Sequence, residues 1–377
     1  MATPKLRFKE FDQIWDNLKY KDILTIKYGK DHKLLNEGVI PVYGTGGIMR
    51  YVNQYLHDGE SILIGRKGTI DQPKYVNEKF WTVDTLFYTQ IKDNCIPLFL
   101  YQHALQVNWL GLNEATGVPS LNTTSINNVD IALPPKAEQT KIASFLSTVD
   151  EKINQLTQKH QLLSQYKQGM MQKLFSQQIR FKADDGSEFG EWSNKTIGDV
   201  ANIKRGASPR PINDKKWFDD SSKIGWVRIS DVSKSTKYLL QTEQYLSALG
   251  IQKSRLVPKG NLIMSICATI GKPIYTGFDV CIHDGFVVFS ELQAIHEYAY
   301  YYLEYIEKNW YQYGQPGTQV NLNSDIVSNE DFPFPCLEEQ TKIANFLSAI
   351  DQKIEIAAQQ IEQAKQWKKG LLQQMFV

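Results

Sequence analysis

The stretch EQTKIASFLSTVDEKI occupies residues 138–153, and nearly the same stretch, EQTKIANFLSAIDQKI, occurs again at 339–354. Twelve of the sixteen positions are identical, and the two copies stand 201 residues apart. In both copies apolar residues recur every three or four positions, which is the spacing of an amphipathic helix. The chain therefore carries one helical segment twice.

The repeat extends well beyond this segment on both sides. The pattern W-x₆-D-[IV]-x₂-I-K-x-G runs from Trp15 to Gly29 and again from Trp192 to Gly206. The offset of 177 residues there rises to about 200 downstream, so the second copy has roughly 23 extra residues between Gly206 and Gly260. Further matched pairs are RF at 7–8 and 180–181, TIDQPKY at 69–75 and TIGKPIY at 269–275, and QYKQGMMQKLF at 165–175 and QWKKGLLQQMF at 366–376. The chain is a tandem duplication.

Each copy ends in a predicted long helix with an apolar seam. Prolines stand directly before both segments, where proline favours a helix start. About 40 residues at 1.5 Å each give a helix of roughly 60 Å. Such a stripe needs a partner, so we predict that the two helices pack as an antiparallel coiled coil with internal pseudo-two-fold symmetry. Two unrelated surface helices are the alternative. The seam residues are Ile142, Phe145, Val149, Ile153, Leu156, Leu163, Tyr166, Met170 and Leu174, and then Ile343, Phe346, Ile350, Ile354, Ala357, Ile361, Ala364, Trp367 and Leu371.

The remainder of each copy indicates an α+β domain. Short runs of β-formers are separated by glycine clusters, which predicts small curved sheets. Helices are expected around 97–110 and 294–313. The runs read as strands are 38–70, 83–91, 224–234, 261–271 and 285–292. We place globular domains at 1–135 and 181–335, and helical spacers at 136–180 and 336–377.

Composition limits the classes of function. The 377 residues include 22% charged and 12% aromatic residues, which is typical of a globular protein. The net charge of +1 predicts that any contact with a polyanion depends on local clusters. There is no apolar run of membrane-spanning length. The four scattered cysteines and six histidines lack metal-ligand spacing, which favours reduced thiols in a cytoplasmic protein without a bound metal.

Three blocks together resemble the specificity (S) subunit of type I restriction–modification systems. They are IPVYGTGG…GESILIGRKGT, the LN-centred segment before each helix, and P-x₃-EQ-x₂-I-x₂-FLS-x₂-D-x-KI. The resemblance covers essentially the whole chain. It implies that 1–135 and 181–335 are target-recognition domains, each reading one half of a bipartite double-stranded DNA target in the major groove. Because the two globular parts have diverged, that target should be asymmetric.

The resemblance also implies partners and a division of labour. The conserved helical spacers set the distance between the half-sites and dock two copies of the modification (methyltransferase) subunit. Restriction (endonuclease/translocase) subunits join this complex, so the chain directs both adenine methylation and restriction. S-adenosylmethionine then belongs to the methyltransferase partner, and ATP and magnesium belong to the restriction partner. No membrane is involved.

The chain lacks the motifs of an enzyme. A methyltransferase FxGxG with NPPY or DPPF, a GxxxxGK[ST] loop and a PD…ExK nuclease signature are all missing from the sequence. Asp84 and Asp284 correspond between the copies, and we interpret them as turn or cap residues. We predict a non-catalytic subunit without a cofactor. The alternatives are a fused methyltransferase and a coiled-coil scaffold that has no role with nucleic acid.

Candidate DNA contacts cluster in glycine-rich, basic loops, since glycine lets the backbone approach a phosphate and arginine pairs with guanine. Three tryptophans, Trp81, Trp217 and Trp226, are assigned to the core instead. In the first domain the candidates are Tyr43, Thr45, Arg50, Arg66, Lys67, Thr69, Thr116 and Ser120. In the second they are Lys204, Arg205, Ser208, Arg210, Arg228, Ser230, Lys234, Thr318 and Gln319. The residues assigned to spacer helices and partner docking are Ile142, Phe145, Val149, Ile153, Ile343, Phe346, Ile350 and Ile354.

Overall fold

The computed structural model describes residues 4–313 and 322–376, which form two compact units. Unit 1 contains the described residues up to Lys159 together with those from Ala357 onward. Unit 2 contains the described residues from His160 to Ile356. Each unit therefore combines one globular part with a piece of both long helices.

Unit 1 is built on a six-stranded sheet. Its elements are β1 (Asp16–Lys19), α1 (Tyr20–Ile23), β2 (Leu24–Tyr28), β3 (Glu37–Gly44), β4 (Gly47–Val52), β5 (His57–Gly65), β6 (Lys74–Thr82), β7 (Leu86–Ile91), α2 (Pro97–Ala104), α3 (Thr123–Asn127), β8 (Asp130–Leu133) and the long helix α4 (Lys136–Phe175). The strand order is β2-β7-β5-β6-β3-β4, and β1 pairs with β8 separately. The core includes Trp15, Tyr20, Phe99 and Trp109, which are 2% exposed or less.

Unit 2 repeats this plan and adds a second sheet. Its elements are β9 (Ser193–Thr196), α5 (Ile197–Val200), β10 (Asn202–Arg205), β11 (Gly225–Val227), α6 (Ile229–Lys234), β12 (Tyr238–Leu239), β13 (Gln244–Tyr245), α7 (Ala248–Gln252), β14 (Arg255–Val257), β15 (Leu262–Ser265), β16 (Pro273–Thr276), β17 (Val280–Ile282), β18 (Phe286–Ser290), α8 (His296–Tyr305), α9 (Ser324–Ser328), β19 (Asp331–Phe334) and the long helix α10 (Leu337–Met375). The sheets run β10-β18-β15-β16-β12 and β13-β11-β17-β14, and β19 pairs with β9. Strands β11 to β14 lie in the stretch between Gly206 and Gly260 that holds the extra residues.

The strands of the two units share the same register, which confirms the duplication. Ile62 pairs with Tyr75 in unit 1, and Leu262 pairs with Tyr275 in unit 2. The glycine that ends the shared tryptophan pattern is required in both units. A Cβ on Gly29 would overlap the carbonyl oxygen of Val83, and a Cβ on Gly206 would overlap that of His283. Backbone packing therefore requires a glycine at the end of the tryptophan pattern in both units.

The EQ pair at the start of each long helix anchors the helix to its globular part. Glu138 is fully buried and accepts hydrogen bonds from Arg7 (Nε to Oε1, 2.7 Å) and from Trp15 Nε1 (3.2 Å). Gln139 bonds Pro134 O and the amide of Ile96, at 2.8 and 2.7 Å. These contacts explain why the EQ pair occurs in both copies.

Unit 2 repeats the anchor. Glu339 is fully buried and binds Arg180 (Nη2 to Oε2, 2.7 Å) and Trp192 Nε1 (2.8 Å). Gln340 bonds Pro335 O and the amide of Ile295, both at 2.8 Å. In each unit, the arginine of the RF pair and the tryptophan of the shared pattern thus bind the same buried glutamate.

The two long helices pack antiparallel within each unit. In unit 1 the Asp150 carboxylate contacts Lys368 Nζ at 2.6 Å, and the rings of Phe145 and Trp367 lie 6.2 Å apart. In unit 2 the equivalent pairs are Asp351 with Lys167 at 2.8 Å and Phe346 with Tyr166 at 6.5 Å. Later residues of one helix meet earlier residues of the other, so the predicted antiparallel pairing is confirmed.

Three local predictions were wrong, and one of them concerns the seam residues Tyr166 and Trp367, which are 51% and 55% exposed. The run 224–234 was read as a strand, but only Gly225–Val227 is a strand, and α6 follows it at Ile229. The Asp231 carboxylate accepts the amide of Arg228 at 2.8 Å and so caps this helix. In the seam, Met171 is buried in place of Met170.

Candidate nucleic-acid interface

The GRKGT loop of unit 1 is joined to the segment that precedes α3. The amide of Gly68 donates to Pro119 O, and the amide of Leu121 donates to Arg66 O, both at 2.9 Å. Lys67 forms an isolated β-bridge with Ser120. The predicted contacts Arg66, Lys67 and Ser120 are therefore brought together, although more than fifty residues separate them in sequence.

Arg66 is held in place at the edge of this loop. Its Nη1 donates to Asp84 O at 3.0 Å, and its guanidinium lies 5.6 Å from the centre of the Tyr28 ring. Lys67 is exposed, and neither an acidic side chain nor a hydrogen-bond acceptor holds its ammonium among the described residues. The loop thus presents one oriented guanidinium and one exposed ammonium.

Other predicted residues of unit 1 have structural partners. The hydroxyl of Tyr43 donates to Glu78 Oε1 at 2.5 Å, and burial together with this bond raises the pKa of Tyr43. Arg50 donates to Leu35 O at 3.1 Å. Thr45 lies in the β3–β4 turn, 3.8 Å from the position a Cβ would take on Gly68. Thr69 is half-buried, and Thr116 is exposed.

In unit 2 the KRGASPRP loop is organised by Asp284. Its carboxylate accepts hydrogen bonds from Ser208 Oγ at 2.7 Å and from Arg210 Nη2 at 3.0 Å. Its carbonyl oxygen accepts Arg205 Nε at 2.7 Å. The bond from Ser208 lowers the pKa of Asp284, and Arg210 adds to this effect. Lys204, the first residue of this stretch, still belongs to β10.

The remaining predicted residues of unit 2 lie around α6. Arg228 donates to Gln244 Oε1 at 3.0 Å and lies 5.9 Å from the Trp226 ring. Lys234 pairs with Glu243 at 2.5 Å, and Ser230 is exposed. Thr318 and Gln319 lie outside the described residues. The core assignment of the tryptophans holds, since Trp81, Trp217 and Trp226 are 8%, 8% and 0% exposed.

Comparison with known proteins identifies the family. The family model for the type I restriction modification DNA specificity domain matches residues 13–164 and again 190–366. The chain belongs to this family. Its curated relatives are named as specificity subunits of type I restriction enzymes.

Curated relatives carry the same description. The putative type I restriction enzyme MjaX specificity subunit of Methanocaldococcus jannaschii is 27% identical over 73% of this chain, and the match covers 65% of that protein. The MjaVIII specificity subunit of the same organism is 26% identical over 84% of this chain and 76% of the relative. The match with the first relative thus spans just under two thirds of its length.

Two solved structures share the fold. The S subunit of the type I restriction–modification system from M. genitalium superposes with a TM-score of 0.64 at 16% identity, covering 100% of this chain and 99% of that one. A chain from a study of complex assembly and conformational transition in the type I R-M system gives a TM-score of 0.58 at 14% identity, with 96% and 97% covered. At these identities the likeness concerns the fold.

The chain buries the helical residues that were assigned to docking. Four of them, Ile142, Val149, Ile343 and Ile350, are 1–5% exposed, and the other four, Phe145, Ile153, Phe346 and Ile354, are half-buried. All eight pack in the core of their own unit. A partner would have to contact their exposed neighbours.

An aromatic row in each unit leads to such a neighbour. In unit 1, Phe8, Phe145 and Trp367 follow one another with ring centres 5.8 and 6.2 Å apart. Trp367 ends the row and is 55% exposed. In unit 2 the equivalent row ends at Tyr166, which is 51% exposed, and its members are Phe181, Phe346 and Tyr166. Sequence analysis placed both end residues in the buried seam. The only sequence signal of an equivalent role is that Tyr166 and Trp367 occupy matching positions of the two copies, 201 residues apart.

The described part of the chain shows neither a cluster of metal ligands nor a membrane-spanning helix nor a disulfide bond. Residues 4–313 and 322–376 contain no group of three or more His, Cys, Asp or Glu side chains that could hold a metal ion. Among the described helices, none combines the length and the apolar content that a membrane crossing needs. All four cysteines are free thiols, and Cys95 and Cys281 are buried.

Proposed function

We propose that units 1 and 2 each read one half of an asymmetric, bipartite DNA target in the major groove. The observation that carries this proposal is a duplicated fold, with the same strand register, that presents two different basic loops. Unit 1 presents Arg66 and Lys67, and unit 2 presents Arg205 and Arg210. A shared scaffold suits two readers of the same kind of ligand, and different loops suit two different half-sites.

The basic side chains of the two loops differ in how firmly the structure holds them, and we assign their roles on that basis. Lys67 is exposed and suits a phosphate, which requires only charge. Arg66 and Arg205 each donate to the carbonyl oxygen of the equivalent residue, Asp84 or Asp284, at 3.0 and 2.7 Å. A guanidinium that is fixed at one end loses less entropy on binding and suits the edge of a base. The other predicted contacts, Thr45, Thr69, Thr116, Lys204, Ser208, Ser230 and Lys234, are assigned to the same two surfaces.

The long helices dock two copies of the modification subunit in this proposal. Support comes from the two equivalent aromatic rows, which end at Trp367 and Tyr166. Half-exposed aromatic side chains on a rigid helix are the usual anchors of protein interfaces. Equivalent anchors suit two copies of one partner. The methyltransferase would supply S-adenosylmethionine, and restriction subunits with ATP and magnesium would complete the complex, in the cytoplasm where the DNA lies.

The same helices set the gap between the half-sites. Helix α4 is continuous over Lys136–Phe175, and α10 is continuous over Leu337–Met375, and each begins in one unit and ends in the other. A continuous helix of about 40 residues is a stiff spacer of roughly 60 Å. Helix length then fixes the gap, and the recognition loops fix the bases.

Sequencing of the methylated genome tests the proposed function. The chain would be expressed with its modification subunit in a host that lacks other adenine methylation. We expect one methylated motif that consists of two different half-sites separated by a gap of fixed length and free sequence. A contiguous motif, or two identical half-sites, would contradict the proposal.

A further inference from the structure

A cavity of about 600 Å³ opens beside the GTGG turn of unit 1. Three short segments line it, and they are Asp31–Lys33, Gly44–Met49 and Val83–Thr85. Six of its residues carry polar side chains around a glycine-rich wall, namely Asp31, His32, Lys33, Thr45, Asp84 and Thr85. The wall therefore leaves the polar groups accessible to an incoming ligand.

The Asp84 carboxylate is available in this cavity. The residue is exposed, and no donor among the described residues bonds to its carboxylate; only its carbonyl oxygen is engaged, by Arg66. The corresponding residue of unit 2, Asp284, has its carboxylate bonded by Ser208 and Arg210. Of these two equivalent carboxylates, that of Asp284 organises its loop, and that of Asp84 holds no part of the described structure.

His32, which also lines the cavity, carries a buried polar atom without a partner in the part of the chain that the structure describes. Nδ1 of His32 is buried and has no hydrogen-bond partner in the described residues. A buried nitrogen without a partner is costly, so such atoms are rare unless a ligand or water satisfies them. His32 and Asp84 both line the cavity, and the exposed Asp84 is the one of the two that an incoming ligand can reach.

The charge of Asp84 restricts what the ligand can be. Arg66 and Lys67 stand next to it, so a DNA duplex attracted by this loop brings phosphates close to the carboxylate. A carboxylate repels phosphate and weakens general DNA binding. It is useful there only if it accepts a hydrogen bond from a base. In the major groove the donors are the exocyclic amino groups, N6 of adenine and N4 of cytosine.

We propose that Asp84 accepts a hydrogen bond from the exocyclic amino group of one base in the half-site read by unit 1. Asp84 is then a specificity-determining residue, and it excludes guanine and thymine, which present acceptors at the same place. This inference rests on the proposed function and adds a rule for one base position.

Two substitutions and one matched control test the rule. D84N is isosteric and brings a donor, and D84A removes the interaction. Arg66 is held by the main-chain carbonyl of Asp84, so both variants keep its anchor. D93N makes the same change of charge at the other end of β7, about 20 Å away for a strand of six residues. Thermal melting of each complex establishes that it is folded.

The measurements are the methylated motif and the affinity for duplexes that carry each base in turn at every position of the half-site. We expect wild type and D93N to prefer adenine or cytosine at one position by about ten- to a hundredfold. D84A should lose that preference, and D84N should accept guanine or thymine. Affinity for non-specific DNA should stay equal or rise in both, because a negative charge is removed. Whether adenine or cytosine is the ligand follows from the wild-type arm.

Two outcomes overturn the inference. One is a motif that is the same in wild type, D84N and D84A. The other is a general loss of methylation by folded D84N with no base becoming acceptable, since that would make Asp84 a positioning residue for the loop. Both leave the proposed function intact if the wild-type motif is bipartite. A contiguous wild-type motif would refute the proposed function itself.

Discussion

The Arg7–Glu138 pair gives the sharpest prediction about stability. Glu138 is fully buried, and the Arg7 side chain is 14% exposed. Two parallel bonds of 2.7 Å join them, and Trp15 Nε1 donates to the same carboxylate at 3.2 Å. In R7A the carboxylate keeps only the tryptophan and stays out of water. Breaking a buried pair from one side costs about 3–5 kcal/mol.

Removal of the charge as well should recover part of this loss. In R7A/E138Q the neutral amide no longer carries the desolvation cost of a charge, so the double variant should be more stable than R7A alone. The interaction energy of the cycle R7A, E138Q and R7A/E138Q should be about 2 kcal/mol or more. Urea unfolding followed by tryptophan fluorescence measures each variant.

A neighbouring exposed pair provides the control. Lys141 Nζ and Glu10 Oε1 lie 3.5 Å apart with both side chains more than half exposed, so K141A should cost less than about 0.5 kcal/mol. R180A should repeat the R7A effect in unit 2, and to a smaller extent because Arg180 is 23% exposed. The reasoning is refuted if R7A is no more damaging than K141A.

Three further predictions concern the helices and the dependence on pH. Insertion of four residues after both Lys159 and Ile356 lengthens each helix by about 6 Å. The gap in the methylated motif should then grow by one or two base pairs, while the half-site bases stay the same. Insertion of two residues rotates the seam by about 200° and should abolish assembly with the modification subunit. W367A and Y166A should each weaken the binding of one modification subunit by about 2 kcal/mol in calorimetry. Neither substitution should change the melting temperature of the free chain appreciably. Equal loss of both subunits in either variant would contradict equivalent docking. Burial lowers the pKa of His103 and His283 to about 4, so the unfolded chain binds more protons than the folded chain between about pH 6.5 and 4. The free energy of unfolding, measured with urea, should be highest above about pH 6.5 and lower by about 2 kcal/mol per histidine at about pH 5. H103Q should reduce this dependence of stability on pH.

The architecture followed from sequence because the duplication supplied an internal comparison. Residues that matched at a fixed offset, such as Trp15 with Trp192 and Glu138 with Glu339, proved to be contacts of the same anchor. Helix starts followed from prolines, since α4 begins directly after Pro135. Strand runs followed from β-branched and aromatic residues between glycines.

Contacts between distant residues escaped sequence reasoning. Arg7 and Glu138 are 131 residues apart, and no local pattern connects them. The buried Lys167 lies on the helical seam because it pairs with Glu304 and Asp351, which hydrophobic periodicity cannot detect. Met171 replaces Met170 because the later part of α4 packs in unit 2, on a different set of neighbours.

The candidate site was found in part. Glycine and arginine spacing located the two basic loops, but it did not reveal that Arg66 and Arg205 bond the carbonyl oxygens of equivalent aspartates, since these arginines do not align. Asp84 and Asp284 were recognised as a pair. Asp284 is the turn organiser that the sequence suggested, whereas the carboxylate of Asp84 has no such task.

The most direct test of the two-reader account is competition binding with half-site-scrambled DNA. Complexes that contain the wild-type chain, R66A or R205A would be titrated with duplexes in which one half-site of the methylated motif is scrambled. The account predicts that R66A loses about 1–3 kcal/mol and becomes insensitive to scrambling of one half, while it remains sensitive to the other half. R205A should give the opposite result. If both variants respond equally to scrambling of either half, the two units do not read separate half-sites.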